Sequence, residues 1–84
     1  MSVQADLIQL PSADEIYQRL TSHGYGQFAQ STALHTTLGG KKATPLWVAM
    51  MVERATYDFM KQYPGQIHNA EQASTEIMDI IIIE

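Results

Sequence analysis

The sequence predicts a small all-α domain, a bundle of three to four helices preceded by an irregular or short-strand N-terminal arm. Three observations predict it: an uninterrupted apolar segment from Pro45 to Tyr63, a capped amphipathic segment that begins at Ser12, and an isoleucine-rich stripe near the C-terminus. With 84 residues, of which 45% are hydrophobic, the chain suits a globular domain better than a disordered segment. We therefore expect one domain over residues 1–84.

The N-terminal arm, Met1 to Leu10, has two interpretations. Val3, Ala5 and Leu7 alternate with polar residues, which is typical of a short strand. The alternation stops at Ile8, so an irregular arm packed on the helices fits the sequence equally well.

The first helix is predicted from its start and its end. Ser12 and Glu15 have the spacing of a capping box, in which each side chain accepts a hydrogen bond from the backbone amide of the other residue. Ile16 and Leu20 then share one face of the helix. Gly24 ends it, because glycine readily takes the left-handed conformation found after a last helical turn.

The second helix, Gln27 to Leu38, is predicted from the spacing of its apolar residues, although four Ser and Thr residues weaken it. Two glycines end this helix, and the residues from Gly39 to Ala43 are expected to form a flexible loop that contains Lys41 and Lys42. The loop lacks the spacing of a phosphate-binding loop. Its functional alternative is contact with an acidic protein patch or with a nucleic-acid backbone.

The third helix has the clearest boundaries. Thr44 is a good N-cap, Pro45 suits the first helical position, and a Pro-Gly pair follows Tyr63. Arg54 and Asp58 lie four residues apart, which is the spacing of a surface ion pair on a helix.

The fourth helix is predicted to begin at Asn69, which can cap it, and to bury a stripe that includes Ile77 and Ile81. The alternative is a C-terminal strand from Ile77 to Ile83, because consecutive β-branched residues favour extended structure. That strand would change the fold class to α+β. We favour the helix.

A helical wheel shows that the third helix is apolar on nearly all sides. One face carries Val48, Val52 and Phe59, and a second strip carries Leu46, Met50 and Tyr57, whereas Trp47 and Met51 fall among the polar residues. A helix of this kind is usually central in its fold or covered by another chain. Either the N-terminal arm covers Trp47 and Met51, or a partner protein does.

The candidate partner-binding residues follow from this pattern. Tryptophan and methionine are enriched in the cores of protein interfaces. The last two isoleucines point away from the core stripe of the fourth helix, which predicts either fraying or a surface for self-association. The predicted partner-binding residues are Trp47, Met50, Met51, Arg54, Ile82 and Ile83.

Composition and motifs argue against several other functions. The absence of cysteine excludes disulfides and cysteine-based zinc sites, and His23, His35 and His68 lack the paired spacing of metal ligands. No nucleophile elbow is present, so we expect no catalysis, no metal and no cofactor. A net charge of −4 argues against nucleic acid as a partner, and no apolar run is long enough to cross a bilayer. The N-terminus has no signal peptide, which predicts a cytoplasmic protein.

Two hypotheses about function remain. The first is a small cytoplasmic protein–protein interaction module, an accessory subunit, adaptor or inhibitor of a larger protein, which also has the option of forming a homodimer. The alternative is a helix-turn-helix DNA-binding transcriptional regulator built from the second and third helices. Its weakness is the run from Leu46 to Ala49, whose apolar side chains are poor readers of base edges.

Overall fold

The computed structural model describes residues 6–83 and confirms the all-α fold class, with a short two-stranded antiparallel sheet at the N-terminal arm. Strand β1 (Ile8–Gln9) pairs with β2 (Lys42–Ala43), so that Ile8 lies opposite Ala43. The arm therefore takes its short-strand form, but the strand begins where the alternation of the sequence ends. The alternating residues Val3 and Ala5 lie outside the described range.

The segment after the second helix is ordered by the arm. The Gly40 amide donates to the Pro11 carbonyl at 2.7 Å, and the Leu10 amide donates to the Lys41 carbonyl at 2.8 Å. The Gln9 side-chain amide also donates to the Gly40 carbonyl at 3.1 Å. The predicted flexible loop is thus a strand and turn, because the arm supplies hydrogen-bond partners that local sequence does not reveal.

Helix α1 (Ala13–Ser22) starts as predicted, with the Ser12 hydroxyl accepting from the Glu15 amide at 3.2 Å. The reciprocal half of the capping box is not formed, because the Glu15 carboxylate instead pairs with the Arg19 Nε at 2.9 Å. Gly24 takes a φ of 87°, which confirms its role after the last turn.

The predicted second helix is wrong in one respect, since two short helices take its place. Helix α2 (Gly26–Ser31) ends at Thr32, which is extended, and α3 (Leu34–Leu38) follows. The Thr32 hydroxyl donates to the Phe28 carbonyl at 2.9 Å. This competition of a threonine side chain for a helical carbonyl is the weakness that the Ser and Thr content indicates. The described residues consequently form five helices instead of three or four.

Helix α4 (Pro45–Gln62) confirms the third predicted helix, with the Thr44 hydroxyl accepting from the Trp47 amide at 3.1 Å. Its buried side is the predicted one, with Val48 and Val52 fully inaccessible to solvent. Thr56 is buried as well, and its hydroxyl donates to the Val52 carbonyl at 2.8 Å. A threonine can therefore replace an aliphatic residue in this core without leaving an unpaired polar group.

Helix α5 (Ala70–Ile82) contradicts the alternative of a C-terminal strand from Ile77 to Ile83. The Asn69 side chain caps its start by accepting from the Gln72 amide at 3.0 Å. At its other end, the Arg19 guanidinium of α1 donates to the Ile81 carbonyl at 3.0 Å. Burial of the isoleucines along one face and caps at both ends outweigh the extended preference of β-branched residues.

The core lies between α4 and α5 on one side and the three shorter helices on the other. Phe28 of α2 meets Phe59 of α4 edge-on, with 5.5 Å between the ring centroids. Full burial of each large aliphatic side chain stabilises the fold by about 1.5–3 kcal/mol. The fully buried aliphatic members are Ile16, Leu20, Leu38, Val48, Val52, Ile77 and Ile81.

Candidate interaction surface

The most exposed apolar side chains of α4 share one face of the helix. Leu46 is 71% exposed, Met50 is 54% exposed and Tyr57 is 49% exposed. Their spacing of four and then seven residues places them in one row. We call these three residues the α4 stripe. Helix α4 is apolar on two sides. The side that carries Val48 and Val52 packs in the core, and the opposite side carries this exposed row.

A second apolar group lies at the end of α5. Ile82 is 37% exposed and Ile83 is 74% exposed. Because Ala49 and Met78 line one cleft between the antiparallel helices α4 and α5, the last turn of α5 runs toward the first turn of α4. Ile82 and Ile83 therefore lie toward the end of the α4–α5 pair at which α4 begins.

Trp47 is half-buried and packs against the core at the start of α4. Lys41 places its ammonium 5.7 Å from the centre of the indole ring, which is within the range of a cation–π contact. Lys42 and Thr44 join them along an open groove of about 340 Å³. Within the described residues, the segment between α3 and α4 thus borders Trp47.

Met51 is also half-buried against the core, in a shallow cleft of about 270 Å³ between α3 and α4. Leu34 and Thr37 lie on its α3 side, and Arg54 and Asp58 lie on its α4 side. The predicted ion pair between these last two residues is not formed; among residues 6–83, the ion pair is the one between Glu15 and Arg19. Arg54 remains exposed at the edge of the cleft.

The structure separates the predicted partner-binding residues into two groups. Met50, Arg54, Ile82 and Ile83 are exposed, whereas Trp47 and Met51 belong partly to the core. The prediction omitted Leu46 and Tyr57, whose side chains are exposed to a similar or greater extent than that of Met50. Leu46 and Tyr57 belong to the second apolar strip of the helical wheel. The wheel does not show whether that strip is exposed, because this depends on which side of α4 the other helices cover. The exposed additions to the predicted set are Leu46 and Tyr57.

A polar cleft of about 250 Å³ lies on another side, between the start of α2 and the start of α5. The Tyr25 hydroxyl donates to the Glu76 carboxylate at 2.6 Å. Burial, together with this carboxylate, raises the pKa of Tyr25 to about 12. The same hydrogen bond, and a second from Gln72, lower the pKa of Glu76. The pair is therefore a neutral donor and an ionised acceptor at neutral pH, which suits a structural tie between helices.

The histidines are dispersed in the structure as in the sequence. His23 is the C-cap of α1, with its Nδ1 2.8 Å from the Arg19 carbonyl, as expected for a histidine at a helix end. His35 meets the Tyr17 ring edge-on, and His68 borders the polar cleft. Within residues 6–83, no three His, Cys, Asp or Glu side chains come close enough together to hold a metal ion.

Comparison of the chain with protein-family models, with curated proteins and with solved structures finds no match.

Proposed function

We propose that this chain is a small, non-catalytic protein–protein interaction module of the cytoplasm. It docks the α4 stripe, with Ile82 and Ile83, against a larger protein, as an accessory subunit, adaptor or inhibitor. The observation that carries the proposal is the exposure of Leu46, Met50 and Tyr57 in one row on the longest helix.

The arrangement supports binding because its three exposed apolar side chains share one face of α4, on which the exposed Glu53 lies between Met50 and Tyr57. Scattered exposed apolar residues are ordinary, but apolar residues gathered on one helix face of a small domain commonly mark an interface. The stripe from Leu46 to Tyr57 is about 16 Å long at the rise of an α-helix. Met50 adapts to irregular surfaces, and Tyr57 offers both an apolar ring and a hydroxyl, which is the composition of interface cores.

The cysteine content supports the cytoplasmic part of the proposal. The chain contains no cysteine, which fits a reducing compartment. Within residues 6–83, no helix has the length and apolar character needed to cross a membrane.

The helix-turn-helix alternative has less support. Strand β2 lies between α3 and α4 and pairs with the N-terminal arm, so the two helices are not joined by a tight turn. The first turns of α4 expose Leu46 and Met50, which have no polar group for a base edge.

The experiment that tests the proposal is cross-linking in cells of the native host, with a photoreactive amino acid in place of Met50. We expect the probe to capture a larger protein. A Leu46→Ser substitution in the same chain should abolish that capture, because it places a polar group inside the stripe.

Leu7→Ser is the matched control, because Leu7 is also strongly exposed, at 62%, and lies outside α4. Capture must survive this substitution. A cross-linked partner that is retained by Leu46→Ser would contradict the proposal, as would capture of the chain's own second copy alone.

A further inference from the structure

The positive charges of this acidic chain are unevenly placed. It has five Lys and Arg residues and a net charge of −4, and Lys41 and Lys42 are its two adjacent cations. Arg19 is engaged by Glu15 and by the Ile81 carbonyl. In contrast, neither Lys41 nor Lys42 forms an ion pair with any carboxylate of residues 6–83, and both are exposed.

These two lysines border an aromatic surface that is held in place. The Trp47 amide donates to the Thr44 hydroxyl, which fixes the first turn of α4. The pairing of β2 with β1 fixes the backbone of Lys42. Lys41 then lies 5.7 Å from the centre of the indole ring, and the groove beside it is open to solvent.

Trp47, which lines this groove, adjoins the α4 stripe on the helix. Leu46 directly precedes Trp47, and Met50 follows Trp47 by three residues, so the three side chains cover adjoining sectors of the first two turns. Leu46 and Met50 are the most exposed apolar residues of α4. The start of α4 therefore presents an apolar surface with two lysines along one edge, and neither lysine forms an ion pair within residues 6–83.

We propose that this surface binds an acidic amphipathic segment of a partner protein. Carboxylates of the segment bind Lys41 and Lys42, and its apolar side chains pack on Trp47, Leu46 and Met50. The inference rests on the proposed function and specifies the chemistry of the partner. Charge complementarity favours an acidic segment. The two lysines would attract its carboxylates to this end of α4, and the acidic remainder of the chain would repel the segment from the rest of the surface.

A nucleic acid fits this surface less well than an acidic peptide. Two lysines neutralise few phosphates, whereas affinity for nucleic acid grows with the number of phosphates that are neutralised. Leu46 and Met50 would also stay without an apolar partner. Binding of an oligonucleotide is nevertheless included in the test.

The test is selection from a random dodecapeptide library displayed on phage, with the full-length chain as the target. We expect the enriched peptides to combine Asp or Glu with Leu, Phe or Trp. The affinity of a synthetic enriched peptide that contains no tryptophan is then measured through the fluorescence of Trp47, the chain's one tryptophan. The double variant Lys41→Glu/Lys42→Glu should weaken binding by about tenfold or more, since two surface ion pairs become repulsive contacts.

Lys61→Glu is the matched control. Lys61 is a cation in the last turn of the same helix, about 21 Å along the helix axis from Trp47. This variant should change the affinity by less than about twofold, because charges at that distance are screened at physiological salt. Circular dichroism checks that both variants keep the helical fold.

Three results would overturn the inference: enrichment of neutral or basic peptides, equal binding by the double variant, or tighter binding of an oligothymidine strand than of the selected peptides. If the selected peptides need Leu46 and Met50 but not the lysines, the acidic-partner inference fails and the proposed interaction function stands. If no peptide is enriched, the acidic-segment inference fails, and the cross-linking experiment decides the proposed function separately.

Discussion

Gly39 is the residue at which a single added methyl group should most disturb the fold. A Cβ atom at this position would lie 2.5 Å from the Ala13 backbone nitrogen and 2.6 Å from the Ala13 Cα. Because the obstacle is backbone, the first turn of α1 would have to shift. We expect Gly39→Ala to lower the free energy of unfolding by about 1–3 kcal/mol, measured by urea denaturation.

Gly26→Ala is the control for that substitution. A Cβ at Gly26 meets only the Thr21 side chain at ordinary contact distance, 3.6 Å, and its backbone needs no left-handed conformation. This variant should be neutral or more stable by up to about 1 kcal/mol, because alanine restricts the unfolded chain. Equal stability losses in the two variants would show that Gly39 has no special steric role.

Individual residues also show where prediction from sequence stops. Val48, Val52 and Phe59 were assigned to the core by periodicity, and they are buried. Thr56 occupies the same buried side, but a polar side chain gives no apolar periodicity, and its hydroxyl bond to the Val52 carbonyl is visible only in three dimensions. The tight approach of Gly39 to Ala13 is a tertiary contact, so nothing in the local sequence distinguishes it from a turn glycine.

At the scale of elements, Arg19 connects the ends of two helices that are distant in the sequence. Its guanidinium pairs with Glu15 in α1 and donates to the Ile81 carbonyl at the C-terminus of α5, where helix carbonyls lack internal partners and carry partial negative charge. We expect Arg19→Met to lower the free energy of unfolding by about 1–3 kcal/mol. Thermal and urea denaturation measure the loss.

Arg54→Met is the matched control, because Arg54 is exposed and unpaired with any carboxylate of residues 6–83. Its effect should stay within about 0.5 kcal/mol, as is usual for surface positions. Hydrogen exchange adds a local measurement: Arg19→Met should accelerate exchange in the last turn of α5 more than in α4. A uniform acceleration would contradict the capping role.

The sequence predicts elements well where local chemistry is sufficient. The starts of α1, α4 and α5 were predicted from Ser12, Thr44 and Asn69, and each side chain forms its capping bond. The interruption at Thr32 and strand β2 were not predicted, because each depends on partners elsewhere in the fold as well as on local preference. Two-residue strands also carry too few residues to produce a recognisable alternation.

At the scale of the whole molecule, the location of the candidate surface could be predicted only in part. The sequence showed that α4 has more apolar surface than a core requires. Whether Trp47 or Leu46 forms the exposed part depends on where β2, α3 and α5 pack around α4, which is a tertiary property. Because Trp47 and Met51 are half-buried, the most exposed apolar side chains of α4 are those of the α4 stripe.

The Tyr25–Glu76 bond should make the stability of the whole fold depend on pH at both extremes, because it joins α2 to α5 across 51 residues. The pKa of Glu76 is lowered in the folded state, so its contribution is present above the ordinary glutamate pKa and is lost as the pH falls through the lowered value. The pKa of Tyr25 is raised from 10.0 to about 12, so its contribution is complete below pH 10 and is lost between these two values.

Tyr25→Phe isolates this contribution, because it removes the hydroxyl and keeps the ring that packs near Phe28. We expect the variant to be less stable than the natural chain at pH 7 in urea denaturation, and the difference to shrink both in acid and between pH 10 and 12. Tyr17→Phe serves as the control, since no side-chain hydrogen bond of the Tyr17 hydroxyl is formed with residues 6–83. A variant as stable as the natural chain at pH 7 would mean that ring packing, and not the bond to Glu76, is what the tyrosine contributes. A stability difference that stays constant from acid to alkali would mean that the hydroxyl contributes independently of the ionisation of Glu76 and of Tyr25.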